Sequence, residues 1–142
     1  MYPYWLEDRD GKKNPEKIPD SLAYFLYFTH VGHALDNEAK DPIKVKLLLE
    51  GTGLGEVDRS VLRQVIIKHQ REQRTFVNKI NAEVATGTAT QESIVAFRNA
   101  KTKCTMDAVD SLLTQLSPGG AVTFRKFIQG WKSHITTDEG AV

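Results

Sequence analysis

Apolar residues recur at steps of three and four over most of this chain, and nowhere alternate between hairpin turns. The pattern predicts helices and no sheet. The first helix is expected to begin at Pro19-Asp20-Ser21, with Asp20 capping its free N–H groups. It should run to about Lys40. Its apolar positions, from Leu22 through Phe28 to Val31 and Leu35, surround the axis instead of forming a stripe. A helix apolar all round is normally buried by several neighbours. Asp41-Pro42 restarts the chain, because proline at the first turn gives up an N–H that has no partner there. A short helix then spans 42–50 and stops at Gly51-Thr-Gly-Leu-Gly55.

A long amphipathic helix should follow, from about Glu56 to Thr86. Val57, Val61, Leu62, Val65, Ile66, His69, Gln73, Phe76, Val77, Ile80 and Val84 define its stripe. Gly87 breaks it. Thr88 or Thr90 restarts the chain, with Thr88-x-x-Gln91 fitting a capping box. A fourth helix passes Ile94, Phe97, Cys104, Ala108 and Leu112 to end near Leu116. The short turn makes these two helices antiparallel neighbours. Ser117-Pro118 repeats the cap-plus-proline signal ahead of a last apolar face from Val122 to Ile135.

The expected fold class is all-α: an antiparallel helical bundle of four to five helices with a central apolar first helix. Three regions follow. Residues 1–19 form an irregular arm, 20–135 a single bundle domain, and 136–142 a frayed tail. The expected core is Leu22, Phe25, Leu26, Val61, Val65, Ile80, Phe97, Leu112, Phe124, Phe127 and Trp131.

Composition agrees with this picture. A chain of 142 residues, 40% apolar and 26% charged, is one globular domain that needs no staples. One cysteine, Cys104, closes no internal disulfide and builds no cysteine-based zinc site. It is read as a buried helical residue. The longest charge-free stretch, 21–35, falls short of the roughly 20 residues that cross a bilayer, so no membrane-spanning segment is expected. The opening residues lack a basic, then apolar, leader pattern. A cytoplasmic protein is expected, or an exported one whose signal peptide has been removed.

Candidate chemistry is sparse. His30 and His33 are three apart and can share a helix face, and two imidazoles could approach a metal or a haem. Yet a zinc site wants three or four ligands, and Glu-x-x-His and Cys-x-x-Cys-His are both missing. The expectation is no cofactor and no metal, with both rings held in an apolar setting. The glycine run at 51–55 follows no strand and has the wrong spacing for a phosphate loop. Cys104 sits mid-helix with no activating base, no serine lies in Gly-x-Ser-x-Gly, and the Asp107/Asp110 spacing is ordinary for a surface. No catalytic residue is expected.

Charge is uneven. Residues 59–103 carry nine basic and three acidic side chains, net +6, against +1 for the whole chain. Such a segment either meets an anionic partner or is offset by acids on neighbouring elements. The pI of about 7.9 argues against a dedicated nucleic-acid domain. Candidate partner-binding residues are Arg63, Arg71 and Arg74 in this segment, and Tyr2 and Trp5 at the aromatic tip of the arm.

The passage Leu116-Ser-Pro-Gly-Gly-Ala-Val-Thr-Phe-Arg-Lys-Phe-Ile, with Lys132 and Ile135 after it, resembles the end of a group of uncharacterised helical proteins from soil bacteria. The aromatic helix at 24–35 and Gly53-Leu54 ahead of the long helix are similar too. The group has no assigned activity, so the resemblance implies a helical fold and export behind a signal peptide, and assigns no site. The expected function is a non-enzymatic binding or accessory protein whose partner is another protein or a second copy. The alternative is a small-ligand, haem or metal carrier using a pocket near His30 and His33.

Overall fold

The computed structural model describes residues 17–135. These form five α-helices and a closing 3-10 turn: α1 Asp20–Asp36, α2 Pro42–Glu50, α3 Glu56–Ala85, α4 Gln91–Gln115, α5 Pro118–Trp131, and the turn Lys132–His134. There is no strand among the described residues, and the fold is an all-α bundle. The arm's Tyr2 and Trp5, and the tail 136–142, lie outside the described residues.

The proline restarts cap as the chemistry requires. Asp41 accepts from the Lys44 N–H at 3.1 Å, and Ser117 Oγ accepts from the Gly120 N–H at 3.0 Å. The start of α4 differs from the capping box expected at Thr88. Thr90 is the cap, paired reciprocally with Ser93, because Thr88 closes the preceding turn by bonding the Glu83 carbonyl at 3.3 Å. Gly87 adopts φ +72 in that turn, a conformation that disfavours any side chain.

Asp20 also departs from expectation. It is the first helical residue, and Pro19 holds the cap position with no side-chain bond. The Asp20 carboxylate instead accepts from Lys132 Nζ at 2.6 Å and Gln129 Nε2 at 3.2 Å, clamping α1 to the end of α5. Lys132 is buried, and its hydrogen bond holds the Asp20 carboxyl below its ordinary range. α1 ends at Asp36, four residues early, where Asn37 turns back to bond the His33 carbonyl at 2.9 Å.

α1 is central, packing against all four other helices. Its buried face is Ala23, Tyr24, Tyr27, Phe28, Val31 and Ala34. Tyr27 stands edge-on to Phe127 (5.2 Å between centroids), Trp131 (5.6 Å) and Phe124 (5.7 Å), which locks α5 onto α1. Leu62 and Ile66 of α3, Val109 and Leu112 of α4, and Val45 and Leu49 of α2 complete the core. Asp58 fixes the opposite end of α5: its carboxylate accepts from the Ser117 N–H (3.0 Å) and hydroxyl (2.6 Å). Gly120 is needed there, since a Cβ would overlap that carboxylate.

The core list needs correction. Val65, Leu112 and Phe124 are buried as expected. Leu22, Leu26, Val61, Phe127 and Trp131 pack only around the core's edge, and Phe25, Ile80 and Phe97 are half-buried outside it. The reason is length. Five helices overlap only at one end of the α3–α4 pair. No residue from 70 to 103 is buried. The distal parts of α3 and α4 form a two-helix hairpin, roughly 20 Å long at 1.5 Å per residue, reaching beyond the packed bundle.

Candidate functional site

The stripe of α3 carries two polar residues one turn apart, His69 and Gln73, where the hairpin leaves the core. Helical spacing puts both on the face that meets α4. His69 is 1% exposed, its ring edge-on to Phe28 at 5.1 Å and to Phe25 at 6.2 Å. Its Nε2 lies 2.9 Å from Thr105 Oγ1 and 3.3 Å from Gln73 Nε2. An amide N–H can only donate, so Nε2 presents its lone pair there. The Thr105 hydroxyl shares its proton between that nitrogen and the Lys101 carbonyl (3.0 Å), which also accepts from Gln73 at 3.3 Å. Burial pushes the His69 imidazole down to about 4, so it is neutral at physiological pH. Gln73 Oε1 is buried with no partner.

Beside this network a cleft of about 260 Å³ opens between α1, α3 and α4. Phe25, Thr29, His33, His69, Gln73, Arg74, Val77 and Lys101 are among its walls. Lys101 is half-buried. Its ammonium lies 4.8 Å from the centroid of Phe25 and 5.0 Å from that of Phe97. Burial, and then repulsion from Arg98, lower its affinity for the proton. A cation held on aromatic faces beside a neutral imidazole, with apolar surface around them, makes a binding cleft.

The two histidines singled out from sequence stand elsewhere. His30 and His33 are both exposed, because the buried face of α1 is the Tyr24–Tyr27–Phe28–Val31 side and they point away from it. The apolar setting expected for them belongs to His69. Of the two, only His33 borders the cleft. Among the described residues, no three His, Cys, Asp or Glu side chains gather where they could hold a metal ion. Cys104 is buried on α4 as expected, with Sγ 3.9 Å from Glu72 Oε1, and burial raises its thiol above the ordinary range.

The basic segment 59–103 is partly matched by its neighbours. Arg63 forms a two-pronged pair with Glu38, and Arg74 pairs with Asp36 at 2.5 Å, both acids coming from the end of α1 and the turn after it. Arg59 donates to the Leu54 carbonyl at 2.7 Å, and Lys103 pairs with Asp107 at 2.7 Å. Arg63, Arg71 and Arg74 do come together, bordering a second groove of about 240 Å³ with Leu35, Asp36, Ile67 and Gln70. Arg71 is the member of that trio for which no carboxylate lies within 4 Å among the described residues.

Lys101 and Thr105 were not foreseen as site residues. The available signal was on the partner helix: His69 and Gln73 interrupting an otherwise apolar stripe. Their partners across α4 depend on how the hairpin is registered, which spacing alone does not give.

No protein-family model matches the chain, and searches of curated proteins and of solved structures return no match.

Proposed function

We propose that this is a non-enzymatic binding protein that presents the α3–α4 hairpin to another protein. The observation behind this reading is the absence of any buried residue between 70 and 103 in a chain whose other helices each contribute residues to one core. Val77, Val84 and Val95 are exposed at 39%, 63% and 45%. Phe76, Ile80, Ile94 and Phe97 are half-buried. Among the described residues, each side-chain hydrogen bond of residues 75–100 stays within the hairpin. A two-helix hairpin has too little apolar contact to be held by its own seam, and a partner would supply the missing neighbour.

The chemistry of the tip favours protein over nucleic acid. From 75 to 97 its charges are Lys79, Glu83 and Glu92 alone, so the basic residues cluster at the neck. A phosphate-binding surface needs the reverse. No helix of the described residues is long and apolar enough to cross a membrane.

The test is site-specific photo-crosslinking in cells producing the full chain. A photoreactive residue at Val84 should give one discrete adduct that the same residue at Lys46 of α2 does not. Val95→Ser should deplete the adduct while leaving thermal unfolding unchanged. Equal, scattered adducts at both positions would remove the hairpin from consideration. An adduct whose mass is that of two chains would assign the partner as a second copy.

A further inference from the structure

The cleft at the hairpin neck contains a cation, Lys101, that no carboxylate among the described residues neutralises. Three cations near it are matched: Arg74 by Asp36, Arg63 by Glu38, Lys103 by Asp107. Lys101 has no carboxylate within 4 Å among the described residues, and only the faces of Phe25 and Phe97 stabilise its ammonium. It is also more buried than Arg74 or Lys103. A half-buried ammonium loses hydration, and an anion placed against it recovers that loss in a medium where charge pairs are stronger than in water.

The walls say what else the ligand must be. Phe25 and Val77 offer apolar surface, and the wall is mainly apolar. Lys101, Arg74 and Asp36 together bring one net positive charge, which fits a monoanion better than a doubly charged phosphate. The volume, about 260 Å³, sits just below the roughly 300–1,000 Å³ of ordinary ligand pockets, so the body is one ring or a short chain. Thr29, His33 and Asn78 are polar groups among the residues that line it.

We propose that this cleft binds a small apolar monocarboxylate, its carboxylate paired with Lys101 and its body laid against Phe25 and Val77. The cleft adjoins the proposed partner surface at Val77, while Val84 and Val95 of the tip and the exposed His30 are not among its walls. His69 and Gln73 act as positioning residues: their bonds to the Lys101 carbonyl and to Thr105 fix the stretch of α4 from which Lys101 reaches the aromatic rings.

The experiment is a titration of the full chain, followed by two-dimensional amide NMR, with three probes: phenylacetate, phenylacetamide and inorganic phosphate. Phenylacetate should shift the resonances of Phe25, His69, Val77 and Lys101 saturably. The neutral amide, of the same shape, should bind at least about tenfold more weakly, and phosphate should not saturate. Lys101→Met keeps the aliphatic stem over the rings and should abolish the preference for the acid, while Lys101→Arg should keep it. Val84→Ser with Val95→Ser should leave the titration unchanged, which separates this site from the partner surface. Three results would each overturn the proposal: equal binding of acid and amide, an acid preference that survives Lys101→Met, or no saturable shift at the cleft. Saturation by phosphate at the same residues would also overturn it, in favour of a simple anion site.

Discussion

The two halves of the α3–α4 pair are built from the same kind of sequence and meet different fates. At the base, Leu62, Val65, Ile66 and His69 face Cys104, Thr105, Val109 and Leu112, and all eight are buried. Farther out, Phe76, Ile80, Ile94 and Phe97 continue the stripe, yet each is only half-buried, and Val84 is largely exposed. Helical periodicity is unbroken across the boundary. What changes is the number of neighbours: α1 covers the base, with α2 against α3 and α5 packed on α1 behind it, and nothing among the described residues covers the tip. An amphipathic stripe therefore reports that a face wants burial, and leaves open whether the chain itself supplies the cover.

The largest expected contrast is in stability. Phe124 is fully buried at the base, and Phe124→Ala should destabilise by roughly 3–5 kcal/mol in denaturant unfolding, the usual cost of truncating a core aromatic. Val84→Ser at the tip should stay within about 0.5 kcal/mol. Comparable losses at the two positions would mean that base and tip form one cooperative unit.

The neck between them should carry the pH dependence. The His69 imidazole is depressed from 6.5 to about 4 by burial. Above pH 6.5 the ring is neutral folded and unfolded, and it costs nothing. Below that, the unfolded chain takes up the proton that the folded chain refuses, so stability falls as pH drops. The loss should reach about 3 kcal/mol by pH 4. Asp20, Glu38 and Asp58 are held below their ordinary values of 3.8 to 4.5, so the stability they contribute is lost only as pH falls further. Unfolding free energies measured from pH 7 to 4 should show the slope, and His69→Gln should flatten it. A wild-type curve level over that range would show that the imidazole is open to water and that the neck is loosely packed.

A smaller effect sharpens the base. Tyr27 is 1% exposed, its hydroxyl is buried without a hydrogen-bond partner, and burial raises it well above the ordinary phenol range. Tyr27→Phe removes that unpaired group and keeps the ring contacts with Phe124, Phe127 and Trp131. It should be stabilising by about 1 kcal/mol, read as a raised melting temperature. A loss of stability would mean that the hydroxyl finds a bound water at the centre of the base.

Much of the fold was legible along the chain, because caps and breaks are local chemistry. Asp41-Pro42, Ser117-Pro118 and Gly87 set helix ends through bonds to residues at most a turn away. The same locality explains the errors. Asp20 looks like a cap, but its carboxylate is drawn to Lys132, 112 positions along the chain. His30 and His33 sit on an apolar helix and still face solvent, since which side of that helix turns inward depends on where α5 docks. The buried histidine proved to be His69, whose place in the α3 stripe was visible but whose Thr105 and Lys101 neighbours were not.

By itself, then, the sequence determined the helices, their order, their boundaries to within a few residues and the all-helical class, because these follow from periodicity and from side chains bonding nearby backbone. The tertiary structure alone decided that the α3–α4 hairpin outruns its cover, that Arg63 and Arg74 are matched by acids around the end of α1, and that Phe25, His69, Gln73 and Lys101 enclose a cleft. Each of those depends on the relative length, rotation and register of separate helices, which are set by how side chains far apart in the chain pack together.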